Sequence, residues 1–340
     1  NRMNNKKFLY SENLLKNERG GVALILVLWV MVILVAIVGE FAYSMRTEIN
    51  ITRNFKEEEE SYQLALAGIE RAKLEILLAK NAQYVYLNED GVLLFKKEKK
   101  VEGKEEDEIP ERKGELGKGT FSYTLTDEDG KLNINNIINI NTASPLQIRY
   151  IIDNSGVDIT DVGIIVDSII DWIDADNLFM LNGAEEDYYQ SLEKPYSCKD
   201  GIFDNINELL LVKGITPEIF YGSMKEGEDE EKRGEDEKKE YEGIAQYFTI
   251  WGSGLINVNT APQRVLEAVF GAAQAENIIR QRGTGPILTS MPGVTITSFV
   301  FTIISTGTTA DGKIKRLVKT TVRREGNKLK TLYWDDNFIL

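Results

Sequence analysis

The 17 residues from Val22 to Val38, VALILVLWVMVILVAIV, are all apolar, and no charged side chain lies between Arg19 and Glu40. A run of that length is about what a helix needs to cross a hydrocarbon core, so the rest of the chain is expected to hang from a membrane helix. The 21 residues before it carry Arg2, Lys6, Lys7, Lys16 and Arg19 against Glu12 and Glu18. That basic bias predicts a cytoplasmic amino terminus with the remainder across the membrane. The run exceeds the usual apolar core of a removable secretory signal and no A-x-A-like site follows it, which favours an anchor. Past the run no proline occurs before Pro110, and Ile69, Ala72, Leu74, Ile76 and Leu77 recur among charges with a helical period. Two arrangements meet this pattern. One is a single helix from about Val22 to Lys80, on the order of 90 Å long; the other is an anchor followed by a separate helix.

Composition then removes several function classes. With 40 basic and 54 acidic side chains the net charge is −14, and a general nucleic-acid binder needs instead a basic face to displace phosphate counterions. The chain has no histidine, so a histidine-based triad and a His-ligated zinc site are excluded. A single cysteine, Cys198, forms no intramolecular disulfide.

The leader ends in Glu18, Arg19, Gly20 and Gly21, and the apolar run continues into a long helical pattern holding Ala65, Ala67, Gly68, Ile69, Glu70, Arg71 and Ala72. In this it resembles the type IV pilin-like subunits, and more narrowly the K subunits of type II secretion, which are minor pseudopilins. The resemblance implies cleavage by a prepilin peptidase between Gly21 and Val22 and methylation of the new amino terminus. Most pilins carry glutamate at the fifth mature position, which here is Leu26; K subunits are similar in lacking it. A carboxylate inside the bilayer is tolerated only where it finds a partner, and a subunit without one need not sit beneath another, which fits a filament tip.

Farther along, Phe121, Tyr123 and Leu125 alternate before the turn residues Asp127 to Gly130, which predicts a strand and a turn. Ser298 to Ser305, Ile314 to Arg323 and Leu329 to Trp334 read as a meander of strands. Strands at both ends with helical patterning between predict an α+β, type IV pilin-like fold: a long amino-terminal helix and an antiparallel sheet, interrupted by an all-helical domain. The expected divisions are a leader at 1–21, a membrane segment at 22–42, a first part of the body at 43–136, an insertion at 137–291 and carboxy-terminal strands at 292–340. The highly charged runs Lys96 to Lys118 and Lys225 to Glu242 lack apolar periodicity and read as solvated loops.

The insertion holds an internal repeat: Ile138 to Ala143 and Ile256 to Ala261 each end in Asn-Thr-Ala with proline following, so Thr142 and Thr260 read as helix caps. These units resemble SAM-like or helix-hairpin-helix elements. Leu211 to Ile215, LVKGI, has the look of such a hairpin, and it gives the alternative reading of a membrane-anchored nucleic-acid-binding protein; the surrounding acids oppose it.

From Tyr150 through Glu193 there are eleven carboxylates and no Lys or Arg. Asp171 and Asp174 fall one helical turn apart, Asp176 follows in a loop, and Glu185, Glu186 and Asp187 return after Gly183. From charge alone a solvated acidic face and an oxygen-only cation site are equally good readings; the ligand chemistry of the second suits Ca²⁺. The run Asp167-Ser168, Asp171 to Asp176, Asn182 to Glu185, Tyr188-Tyr189 and Glu208 to Leu210 is similar to the most specific stretch of the K subunits, whose inserted domain binds calcium. The resemblance therefore implies Asp171, Asp174, Asp176, Glu185, Glu186 and Asp187 as metal residues. It also implies no enzymatic activity, a bacterial inner-membrane location with a periplasmic body, and the minor pseudopilins I and J as partners, with H and the major pseudopilin G as further candidates. A glycosidase needs a carboxylate pair with one raised pKa, and Trp172, Tyr188 and Tyr189 are the sole aromatic platform nearby.

Overall fold

The computed structural model describes residues 4–79, 84–95, 110–137, 145–223, 241–283, 285–289 and 291–338. The first repeat unit with Thr142, most of both charged runs, and Ile339 and Leu340 lie outside the described residues. The chain forms two compact units, residues 1–60 and 61–340.

The first unit is helical throughout its described length, as the first part of α1 (Asn4–Leu78). Its residues from Val22 to Val38 are solvent-exposed, and the helix is long and apolar enough to cross a membrane.

In the second unit the remainder of α1 is followed by β1 (Val85–Leu87), β2 (Leu93–Phe95), β3 (Lys113–Leu116), β4 (Gly119–Asp127) and β5 (Leu132–Asn133). The helical section holds α2 (Pro145–Asp153), α3 (Ile159–Ile173), α4 (Glu186–Gln190), α5 (Pro217–Tyr221), α6 (Gln263–Phe270) and α7 (Ala272–Gly283), with short strands β6 (Phe248–Thr249), β7 (Ile256–Asn257) and β8 (Val294–Thr295). Strands β9 (Val300–Thr308), β10 (Lys315–Glu325) and β11 (Lys328–Asp335) close the chain. The main sheet is antiparallel with order β11-β10-β9-β4-β3, so β4 pairs with β9 across the whole helical section, Leu125 opposite Ile303 and Phe121 opposite Gly307.

Several features depart from the sequence expectations, among them the short strands β6 and β7 within an insertion expected to be all-helical. Lys113–Leu116, at the end of a run read as a loop, is strand β3; an edge strand needs ladder partners on one side only and its side chains stay largely exposed. Leu74, part of the apolar period, is 53% exposed. The stripe that packs on the sheet is Leu64, Ala65, Ile69, Ala72 and Ile76, against Phe121, Tyr123, Leu125, Phe301, Ile303, Val318 and Val322. Period-2 alternation on β4 meets a helical stripe there, as packing of a helix on a sheet requires. Beside it, Arg112 and the Tyr123 hydroxyl both donate to the Glu75 carboxylate.

The helical section has its own core, built on Ile148, Ile151, Ile165, Ile169, Trp172, Tyr189, Phe203, Phe220 and Phe248. It joins the sheet through three consecutive acids. Asp127 accepts bonds from the Ser298 and Thr260 hydroxyls and from Asn257 Nδ2. Glu128 accepts from Lys131 and Thr249, and Asp129 accepts from the amides of Phe299 and Val300. Burial, helped by the charge of Asp129, pushes Asp127 up to about 7. Thr260 is thus a junction residue and not the expected cap: α6 begins after Pro262, and no side chain caps it.

Candidate functional site

The acidic stretch folds around the end of α3. Asp171 lies in its last turn and is fully buried, and Asp174 follows as the C-cap. The loop from Asp174 to Glu185 then returns along the helix, pinned by carboxylates that accept from its backbone. Asp171 takes the amides of Met180, at 2.9 Å, and of Ala184, at 2.8 Å. Asp167 takes Asn182 through both its amide and its side chain, and Asp176 takes Leu178 N at 2.8 Å. Gly183 is required here, since a Cβ would fall 1.8 Å from Asp171 Oδ2. Lys213 closes the loop from the other side, donating to the carbonyls of Asn182 and Gly183.

What this scaffold presents is a cluster of carboxylates only partly supplied with donors. One oxygen each of Asp174, Asp176 and Glu185 lie within 4.8 Å of one another. Glu185 is only 6% exposed, and both of its oxygens, together with Asp174 Oδ1, are buried without a hydrogen-bond partner among the described residues. Buried polar atoms are ordinarily paired, and a buried carboxylate without a cation is costly. Burial first, and the charges of Asp171, Asp174 and Asp200 after it, push Glu185 up to about 7. Burial also raises Asp174 and Asp171.

Not every expected residue joins this group. Asp171 stands beside it with its oxygens committed to backbone amides. The Glu186 carboxylate turns away to accept from Cys198 N and Gln190 Nε2, and Asp187 is exposed. The fold adds two residues that spacing did not suggest, Cys198 and Asp200, which meet Glu185 in a second group of the same dimension. They lie beyond Lys194, the first cation after the acidic run.

The neighbourhood disfavours the rival readings. Trp172 and Tyr189 are buried at 2% and 0% exposure, edge to face at 5.1 Å, so they are core and not a sugar platform. The hairpin around Gly214 commits its lysine, Lys213, to the carbonyls of the acidic loop, so that side chain is not free for a phosphate.

The family model "Type II secretion system (T2SS), protein K" matches residues 130–222, and a second model of that description matches 256–291. A putative type II secretion system protein K of Escherichia coli (strain K12) is 27% identical over 215 residues, 61% of either chain. Type II secretion system protein K of Pectobacterium carotovorum subsp. carotovorum is 35% identical over 82 residues, covering 24% of this chain and 25% of its own. The matches thus span less than two thirds of these relatives' lengths. Among solved structures, a chain of the GspK-GspI-GspJ complex from enterotoxigenic Escherichia coli superimposes with a TM-score of 0.53 at 18% identity, covering 84% of this chain and 98% of that one. That likeness establishes a shared fold, a long amino-terminal helix with an antiparallel sheet. With the first family model lying across the pinned acidic loop, the chain is similar over these stretches to the type II secretion system protein K family.

Proposed function

We propose that the protein is a minor pseudopilin, a structural subunit without enzymatic activity, which caps or initiates the type II secretion pseudopilus together with the I and J subunits. The observation that carries this is the likeness to nearly the whole of one chain in the GspK-GspI-GspJ complex. In this reading Val22 to Val38 is the inner-membrane anchor, with the amino terminus cytoplasmic and residues from about 43 onward periplasmic. Prepilin peptidase cuts between Gly21 and Val22, the new amino terminus is methylated, and H and the major pseudopilin G are further neighbours. Leu26 in place of glutamate fits a tip position, because no subunit above supplies an amine for an intramembrane carboxylate. The helical section corresponds to the SAM-like insertion, whose bulk obstructs stacking in a shaft. The test is coproduction of the full chain with prepilin peptidase and the I and J subunits of the same bacterium. One coeluting complex with this chain beginning at Val22 is expected. Separate elution with an unchanged amino terminus would refute the assignment.

The same reading includes calcium at the loop. Asp174, Asp176 and Glu185 would hold the ion, with Asp200 at its open side and Asp171 positioning the loop. Glu186 and Asp187, implied by resemblance, enter no such group. Calcium takes oxygen ligands at roughly 2.3–2.6 Å, so ligands on opposite sides of it lie about 5 Å apart, which suits the spacing of these carboxylates. Bound calcium neutralises charge that the fold otherwise buries unpaired. At a hundredfold excess over Kd it should add about 2.7 kcal/mol to stability, read as a higher melting temperature than in chelator, with Mg²⁺ a poor substitute.

The pH dependence has a definite sign. Folding raises Glu185 from 4.5 to about 7, so the metal-free folded state holds its proton to higher pH than the unfolded chain does. Its stability therefore falls as pH rises through that window. Asp127 contributes in the same direction but belongs to the junction. Melting curves at successive pH values should slope downward in chelator and more weakly in calcium, the difference isolating the acidic group at the loop, Glu185 foremost, from the junction. Superimposable curves would return the loop to a solvated acidic face.

A further inference from the structure

The Glu185 centre has a soft side. Cys198 Sγ and one carboxylate oxygen each of Glu185 and Asp200 lie within 4.8 Å of one another. Cys198 is 7% and Glu185 6% exposed, and both Glu185 oxygens are without a hydrogen-bond partner among the described residues. Sγ meets the Asp171 carbonyl at 3.8 Å, a weak contact for a thiol. Asp200 is exposed and gives the group an opening to solvent. Nearby cations are engaged elsewhere: Lys199 pairs with Asp204 and Glu208 at 2.8 and 2.6 Å, and Lys213 holds the loop carbonyls.

We infer that Glu185, Cys198 and Asp200 form a three-ligand site for a thiophilic divalent cation, zinc foremost, with its fourth position open to water. Zinc accepts mixed sulfur and oxygen ligands in a tetrahedron, and thiolates select it over hard cations such as calcium. Binding converts the Cys198 thiol to thiolate and releases its proton to solvent. The absence of histidine leaves the thiol as the one soft ligand at this position. Because Glu185 belongs to both groups, a thiophilic ion and calcium compete for it. The site shares that residue with the calcium reading but does not rest on it.

The full chain, purified in detergent micelles, chelated and kept reduced with a phosphine, is titrated with Cd²⁺ and then with Zn²⁺. A sulfur-to-cadmium charge-transfer band with a stoichiometric end point is expected, displaced by Zn²⁺ and weakened by excess Ca²⁺. Cys198→Ser should abolish the band and lower Zn²⁺ affinity by about tenfold or more, while its melting temperature still rises with Ca²⁺. Absence of the band in folded wild-type protein, or equal Zn²⁺ affinity in Cys198→Ser, overturns the site. If Cys198→Ser does not fold, Asp200→Asn, at an exposed position, decides: unchanged Cd²⁺ and Zn²⁺ affinity overturns the three-ligand set, and weakened affinity supports it. A cadmium band without any calcium-induced stabilisation would refute the calcium reading and leave this one standing.

Discussion

Asp171→Ala should cost the metal-free chain about 3 kcal/mol, since it strands two backbone amides that the carboxylate satisfies, at roughly 1–3 kcal/mol for each buried donor left unmade. The amides are those of Met180 and Ala184, and they fix both limbs of the loop carrying Asp176 and Glu185. Removing one acid from an acidic group relieves some repulsion, which tempers the loss in the absence of metal. It does not restore the loop, so calcium affinity should fall even though Asp171 ligates nothing in the proposed site. Asp171→Asn should be milder, because it keeps one acceptor oxygen and the fit against Gly183. Melting in chelator and a calcium titration of the full chain check both statements. If Asp171→Ala melts with the wild type and binds calcium as tightly, the buried carboxylate is not what shapes the loop.

The long apolar amino-terminal helix, the strand pattern of β4 and the closing meander of β9 to β11 were legible in the sequence because each carries a strong apolar pattern, the strands with clear turn residues between them. The acidic stretch was legible as chemistry but not as geometry. Spacing grouped Glu185, Glu186 and Asp187 together, yet on entering a helix successive side chains diverge: Glu186 turns to Cys198 N and Gln190 Nε2, and Asp187 is exposed. Asp171 had the right position and another task, since a buried carboxylate at a helix end is often spent on backbone amides. Cys198 and Asp200 were invisible as site residues because they reach Glu185 through a loop with no periodicity. Thr260 looked like a helix cap because Asn-Thr-Ala-Pro is a cap-like string; its hydroxyl instead meets Asp127, 133 positions earlier in the sequence, a pairing no local rule supplies. Strand β3 was missed for a related reason: an edge strand draws its stability from the ladder and leaves no hydrophobic signature.

Gly307→Val should be among the most damaging single changes in the second unit, costing above about 3 kcal/mol. A Cβ at Gly307 would fall 1.9 Å from Ser61 O and 2.5 Å from Ala65 N. Both are helix backbone, which cannot rotate aside, so α1 would have to lift from β9 and take Leu64, Ala65 and Ile69 out of their contacts with the sheet. Gly68 faces the same seam from the helix, but there the nearest atom to an added Cβ is Ser305 Oγ at 2.1 Å, the end of a side chain that has other rotamers. Gly68→Ala should therefore be clearly milder than Gly307→Val. Gly326, at φ +63° with open space around it, provides the backbone-only control, and Gly326→Ala should cost about 1 kcal/mol. Denaturant midpoints of the full chain rank the three. Hydrogen exchange at Ala65 and Ile69 locates the damage, since lifting the helix opens those amides before the helical section is disturbed. A ranking in which Gly307→Val falls at or below Gly326→Ala would mean that the helix and sheet do not approach this closely, and the seam that holds the body together would have to be sought elsewhere.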